Sequence, residues 1–207
     1  MIMSSEPNRI KDEFIQNMNK SLDLIKRINK IDSMLSSDEI YSIYELSFLK
    51  IYLSWESFIG RIFILYMIGE KTDSGYAPKR YVTPRDEKHA YDIIKSGRPF
   101  PNWLDIEFIR EKSELFFENG EPFKTALYSK TNIRGGLQNM RVLRNIIVHA
   151  SEEAEEKYKN MLRNGLGSAP NISPGEFLSR MRIGKPKVPY IVYYKKILEV
   201  ASNDIIR

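Results

Sequence analysis

The 207-residue sequence predicts an all-α protein, a helical bundle with an irregular insertion between its main helices. Three observations carry that prediction. Apolar residues recur at three- and four-residue intervals in several long segments, the period of a helix face packed on a core. Glycine and proline concentrate in two stretches, about 70–102 and 165–189, and proline is absent from the three longest helical segments after their first residues. Only Ile191 to Tyr194, β-branched and aromatic, could alternatively form a short strand.

The elements follow in order. Phe14, Met18, Leu22, Ile25, Ile28 and Ile31 place a first helix over roughly Asn8–Leu35, with Lys11, Lys20, Lys26 and Lys30 on its solvated side. A second starts near Ser37, where Asp38 and Glu39 suit the positive end of a helix dipole, and runs to about Ile68. Ser37 followed by Ile40 lacks a capping box. Leu46, Leu49, Leu53, Phe58, Ile62 and Leu65 are its apolar positions, and from Trp55 onward it is apolar nearly all round. Such a helix is central to a core or shared with a partner chain. Its apolar run, interrupted at Gly60 and Arg61, reads as too short and broken to span a bilayer.

Residues 70–120 read as the insertion. Thr83-Pro84 predicts an N-cap with proline at the first helical position, hence a short helix over 84–96. Asp105–Phe117 predicts another. The third main helix covers Asn132–His149, with Leu137, Met140, Leu143, Ile146, Ile147 and Ala150 toward the core. Gly135-Gly136 lacks the pattern of a phosphate loop and reads as flexibility at its start. Ser151 restarts a helix whose early glutamates favour its N-terminal dipole, ending at Gly165-Leu166-Gly167. Ser173-Pro174-Gly175-Glu176 has capping-box form and opens a short helix to Arg182. A last helix covers Tyr190–Ile205. The reading is one domain over 1–207, with the insertion and a C-terminal extension at about 165–207.

Composition narrows the chemistry. Aromatics at 12% argue for a folded core rather than disorder. With no cysteine, disulfides, thiolate metal sites and cysteine nucleophiles are excluded, and a reducing compartment fits. His89 and His149 are the two histidines, and no carboxylate cluster has metal-ligand spacing, so neither metal nor cofactor is expected. A net charge of +5 leans toward an anionic partner such as nucleic acid. No leader pattern precedes Glu6, Asn8 and Arg9, so a soluble cytoplasmic protein without membrane contact is expected.

Drawn at 100° per residue, Gln138, Arg141, Asn145 and His149 form one polar stripe on the third helix. Arg144 lies off it, beside Leu137 and Val148. An arginine on a mostly apolar flank needs an anion, a carboxylate or a subunit boundary. Arg144 and His149 are five residues apart, about 140° around an ideal helix. For them to act together, the helix end must unwind or a partner chain must complete the site.

Arg144-Asn145-Ile146-Ile147-Val148-His149 resembles the signature of the HEPN superfamily, Arg followed by His after four to six residues, often with Asn after the Arg. Ser54-Trp55-Glu56-Ser57-Phe58 resembles the Trp-Glu helix of its RiboL-PSP-like branch. Together the two stretches cover about two helices. The resemblance implies a dimerising HEPN-like bundle and a metal-independent endoribonuclease, a toxin or antiviral defence effector, with RNA as substrate and an antitoxin or regulatory protein as a further partner. It gives His149 the proton transfers, Arg144 the charge of the phosphorane-like transition state, and Asn145 an orienting role. Glu56 is then a supporting acid, and Arg141 joins it from the polar stripe. Where some HEPN toxins carry a modified tyrosine two residues after the histidine, this chain has Ser151, so that control is not carried over.

Alternatives stay open. A non-catalytic HEPN-like module that binds RNA or protein would carry the same motif. His149 could simply cap a helix C-terminus, and Glu56 could pair with Arg61 or Arg144. Lys79, Arg80, Arg85 and Lys88 are candidates for guiding RNA, or a solvated face. Lys185, Lys187, Lys195 and Lys196 read as solvated, and His89 as exposed.

Overall fold

The computed structural model describes residues 4–28, 30 and 34–207. Among them the chain is all-α, and extended pairing is confined to isolated bridges such as Arg80–Phe117 and Met181–Pro189. In order come α1 (Glu6–Ile28), α2 (Ser37–Ile68), α3 (Glu87–Lys95), α4 (Ile106–Phe116), α5 (Thr131–His149), α6 (Glu152–Leu166), α7 (Pro174–Ser179) and α8 (Tyr190–Ile205). The sequence pattern predicts a first helix reaching Leu35; α1 ends at Ile28, Lys30 lies in a turn and Leu35 in a bend, and residues 29 and 31–33 lie outside the described ones. Ile191–Tyr194 is helical, not a strand.

Caps set these boundaries: α2 begins at Ser37 as expected, whereas α3 begins three residues later than the local pattern puts it. The capping box of α2 is Ser36 with Glu39: the Ser36 hydroxyl accepts from the Glu39 N–H at 3.3 Å, and the Glu39 carboxylate accepts from the Ser36 N–H at 2.8 Å. Thr83 does not cap α3. Asp86 does, accepting from the His89 N–H at 2.8 Å, because its short carboxylate satisfies a donor the first turn leaves open. Pro84 is buried before the helix begins.

The chain separates into two compact units. One gathers residues up to Gln16, Ser54–Gly135 and Leu198–Arg207; the other gathers Asn17–Leu53 and Gly136–Ile197. In the first, Phe63 is ringed by Trp103, Phe117 and Phe123 at centroid distances of 5.3, 5.1 and 4.8 Å. The segment read as an insertion therefore supplies much of this unit's core. Gly60 is required here, since a Cβ would stand 2.8 Å from the indole nitrogen of Trp103.

The second unit holds the end of α1, the first half of α2, most of α5, all of α6 and α7, and the first half of α8. Phe177 stacks on Tyr190 at 4.2 Å, and Phe48 meets Tyr194 edge-on at 6.4 Å. Gly136 is not mere flexibility: it is buried, and a Cβ there would collide with Ile197 of α8. Gly175 likewise lets the start of α7 close on the Tyr41 backbone, and its N–H donates to the Glu45 carboxylate at 2.8 Å. Burial raises the Glu45 carboxyl above its ordinary range, opposed by that hydrogen bond.

The helix α2 departs from its expected pattern in two ways. Leu46 and Leu53, read as core positions, are 58% and 54% exposed, because they share a face with the exposed Lys50 and Ser57. Contrary to the sequence reading, α2 is long and apolar enough to cross a membrane by length and composition, although 61% of its most apolar window is buried within the protein.

Candidate functional site

The site grows from the end of α5. Leu137, Met140 and Leu143 are buried, whereas Ile146 and Ile147 are half-buried and Val148 is 46% exposed. The core-facing stripe thus fades two turns before the helix stops, and Ala150, read as core, is exposed. The helical bond from the Ala150 N–H to the Ile146 carbonyl still forms, at 3.2 Å. Ala150 itself is left-handed, with φ of 41°, a conformation that strains a residue carrying a Cβ. Ser151 follows as N-cap of α6, its hydroxyl accepting from the Ala154 N–H at 3.3 Å. One residue therefore turns the chain from α5 into α6 and leaves His149 exposed at the corner.

Arg144 and His149 meet. Arg144 Nη1 lies 2.8 Å from His149 Nε2 and 3.3 Å from Asn145 Oδ1. The helix does not unwind to achieve this, and no second chain is needed for the contact. The long arginine side chain spans the angular gap that separates the two positions on the helix wheel. The guanidinium only donates, so Nε2 is the acceptor and the ring proton sits on Nδ1, an assignment that follows from the donor's chemistry. Both Nη1 hydrogens are directed to protein acceptors, whereas Nε and Nη2 take part in neither bond. A planar fork with donors to spare suits a phosphate.

Beside this cluster is a cleft of about 220 Å³ lined by Asn145, His149, Ser151, Glu153, Ala154 and Lys157. Glu153 and Lys157 pair at 2.5 Å, and the Lys157 ammonium holds the Glu153 carboxyl below its ordinary range. Sequence reasoning missed these two as site residues. Their i,i+4 spacing was visible, but their closeness to His149 depends on the corner at Ala150. A larger concavity of about 440 Å³, along Tyr158, Leu162, Ile172 and Pro174, includes none of Arg144, Asn145 and His149.

The remaining candidates are dispersed. Arg141 is exposed on α5. Glu56 is half-buried on the part of α2 that belongs to the first unit. Arg61, one of its two expected partners, pairs with Glu13 at 2.9 Å and Glu6 at 3.6 Å. Lys79, Arg80, Arg85 and Lys88 also belong to the first unit. Of these, Arg80 donates to the Met67 carbonyl at 2.8 Å and lies against Gly69, so it caps α2 rather than facing solvent. Lys79 pairs with Glu118 at 3.2 Å, and Arg85 and Lys88 are exposed. His89 is half-buried, and its Nδ1 accepts from the Arg85 N–H at 3.1 Å. Among the described residues, no group of three or more His, Asp and Glu side chains is placed to hold a metal ion.

Fold and site together define an all-α protein with a solvent-facing Arg–Asn–His cluster at a helix corner. No family model matches the chain, and no curated protein or solved structure is significantly similar to it.

Proposed function

We propose that this chain is a metal-independent endoribonuclease of HEPN type, acting as a homodimer on RNA in the cytoplasm. The observation that carries the reading is the 2.8 Å contact between Arg144 and His149 at the rim of an open cleft. Histidine side chains exchange protons near neutral pH, and a positioned ribose hydroxyl is an internal nucleophile.

In this reading a phosphodiester draws the guanidinium onto its oxygens and frees His149 Nε2. Nε2 takes the proton of the 2′-OH as the 2′-oxygen attacks phosphorus. Arg144 balances the charge that builds on the equatorial oxygens. The P–O5′ bond breaks, and the departing oxygen takes a proton from a second acid. The products are a 2′,3′-cyclic phosphate and a 5′-hydroxyl. The second acid would be His149 of the other copy, which is why a homodimer belongs to the proposal. Asn145 anchors the arginine, and Glu56 and Arg141 are supporting positions only. A role as toxin or defence effector, restrained by an antitoxin or regulatory protein, extends the same reading.

One feature favours a second reading, a non-catalytic module that binds RNA or protein: the Nε2 lone pair is already engaged by Arg144. Incubating RNA with the chain in EDTA discriminates. Cleavage that is lost in His149→Ala and in Arg144→Ala supports the nuclease. Cleavage surviving either substitution removes the site assignment, and cleavage abolished by EDTA removes the metal-free mechanism. Binding without cleavage moves the weight to the module.

A further inference from the structure

Residues 177–198 carry six cations, Arg180, Arg182, Lys185, Lys187, Lys195 and Lys196, and no carboxylate. The structure gives this stretch a shape and a place. Residues 180–190 form a short hairpin: the Arg182 N–H donates to the Val188 carbonyl at 2.9 Å, and the Tyr190 N–H donates to the Arg180 carbonyl at 3.0 Å. Arg182 stacks over Tyr193 at 4.3 Å and donates to the Lys185 carbonyl, which ties the loop to α8. Lys185 and Lys187 are exposed at the tip, and Met181 and Ile183 beside them are 57% and 63% exposed.

The register of α5 against α8 locates the hairpin. Gly136 faces Ile197, and Asn139 lies within hydrogen-bonding reach of Tyr194. Three steps forward on α5 match three steps back on α8, so the helices are antiparallel. At 1.5 Å per residue, α5 continues roughly 15 Å past Asn139 to His149, whereas α8 extends only roughly 6 Å before Tyr194 to its start. The last turns of α5 therefore extend beyond the start of α8, and there Ile146 lines a concavity with Tyr158 and Leu162 of α6 and with Ile172. The start of α8, which the hairpin leads into, and the Arg144–His149 cluster therefore belong to the same end of the second unit. On the other side of the corner, the first turn of α6 carries Glu152, Glu153 and Glu155. Glu153 and Glu155 are paired with Lys157 and Lys159, so the pull on a polyanion comes from the hairpin side.

We propose that the hairpin 180–190 is a backbone-binding arm for single-stranded RNA, with Lys185 and Lys187 contacting phosphates next to the candidate site. Met181 and Ile183 offer apolar surface to unstacked bases. The inference rests on RNA being the ligand proposed above, but not on its being cleaved.

The test measures binding of a labelled single-stranded RNA oligonucleotide to the full chain carrying His149→Ala, with and without Lys185→Gln/Lys187→Gln. Each single-strand phosphate contact contributes about 0.7 to the slope of log K against log salt. Losing two should lower that slope by about 1.4 and weaken binding about 25-fold at about 0.1 M salt. Lys185→Arg/Lys187→Arg should retain affinity. Lys20→Gln/Lys50→Gln, an equal charge change at exposed positions of the same unit, should have little effect. Equal losses in both Gln pairs, an unchanged slope, or no RNA binding at all would overturn the arm. So would lysine-dependent binding to phosphatidylserine vesicles without RNA binding. Cleavage by the unsubstituted chain with a silent hairpin would sink the arm and spare the nuclease. Hairpin-dependent binding without cleavage would do the reverse.

Discussion

Arg144→Lys separates catalysis from stability in one substitution. Lysine keeps the positive charge and the apolar stem, but loses the planar fork that bonds His149 at 2.8 Å and Asn145 at 3.3 Å from a single nitrogen. Both acceptors are at the surface, His149 exposed and Asn145 half-buried. A surface hydrogen bond sits at the low end of the usual 0.5–1.5 kcal/mol, so the two together are worth at most about 1 kcal/mol. In a chain of this size that is a Tm change of roughly 2–4 °C. The effect on chemistry is expected to be much larger. Removing one oriented donor from a developing oxyanion costs about 10²–10³ in kcat. The assay is single-turnover cleavage of a labelled RNA in EDTA, beside a thermal melt of the same preparation. A variant that cleaves within about threefold of the parent, or whose activity loss is matched by a melt lowered well beyond 4 °C, would refute the reasoning. The first outcome would mean that charge alone suffices, the second that Arg144 holds up the fold.

Other substitutions test the frame around the site. Ala150→Gly relieves the left-handed strain at the corner and should stabilise by about 0.5–1 kcal/mol, read as a higher denaturation midpoint; a lower midpoint would mean the strain is absent. Gly175→Ala forces a Cβ into the Tyr41 carbonyl and should destabilise by about 1–3 kcal/mol, as overpacking does; unchanged stability would show that α7 docks differently. Glu45 has its carboxyl raised by burial, so the folded state holds the proton more tightly than the unfolded one. Its contribution to stability therefore falls as pH rises past the ordinary glutamate value of 4.5 and through the higher folded value. Glu45→Gln keeps an acceptor for Gly175 and should flatten that decline, measured as the difference between the two proteins' denaturation curves across acidic to neutral pH. A parallel pair of curves would contradict the assignment. Glu153→Gln, which frees Lys157 in the cleft, should lower KM for RNA, and Lys157→Gln should raise it, with kcat little changed; a higher KM in Glu153→Gln would argue that the carboxylate itself contacts substrate.

How much could be read from sequence follows the range of the forces involved. The limits of α2 and α8 were legible from the apolar period and the flanking breakers, because both are local. The Arg144-Asn145 and His149 pattern was equally legible, as was the Ser151 cap. What local pattern missed is what depends on groups distant along the chain or on side-chain reach. Leu46 and Leu53 look like core residues until packing decides which face of α2 is covered. Arg80 looks like one of four basic surface residues until the end of α2 presents it with the Met67 carbonyl. Gly136 looks like slack until Ile197 fills the space above it. The helix wheel sets Arg144 and His149 apart because it describes Cβ directions, and a long flexible side chain is not bound by them. Sequence by itself determined the helical architecture and nominated Arg144, Asn145 and His149. Tertiary structure alone decided that the three meet, that Glu153 and Lys157 wall the cleft beside them, and that a basic hairpin leads into the helix that starts at the same end. Those outcomes depend on one left-handed residue and on the antiparallel register of α5 and α8, and neither leaves a periodic trace in the chain.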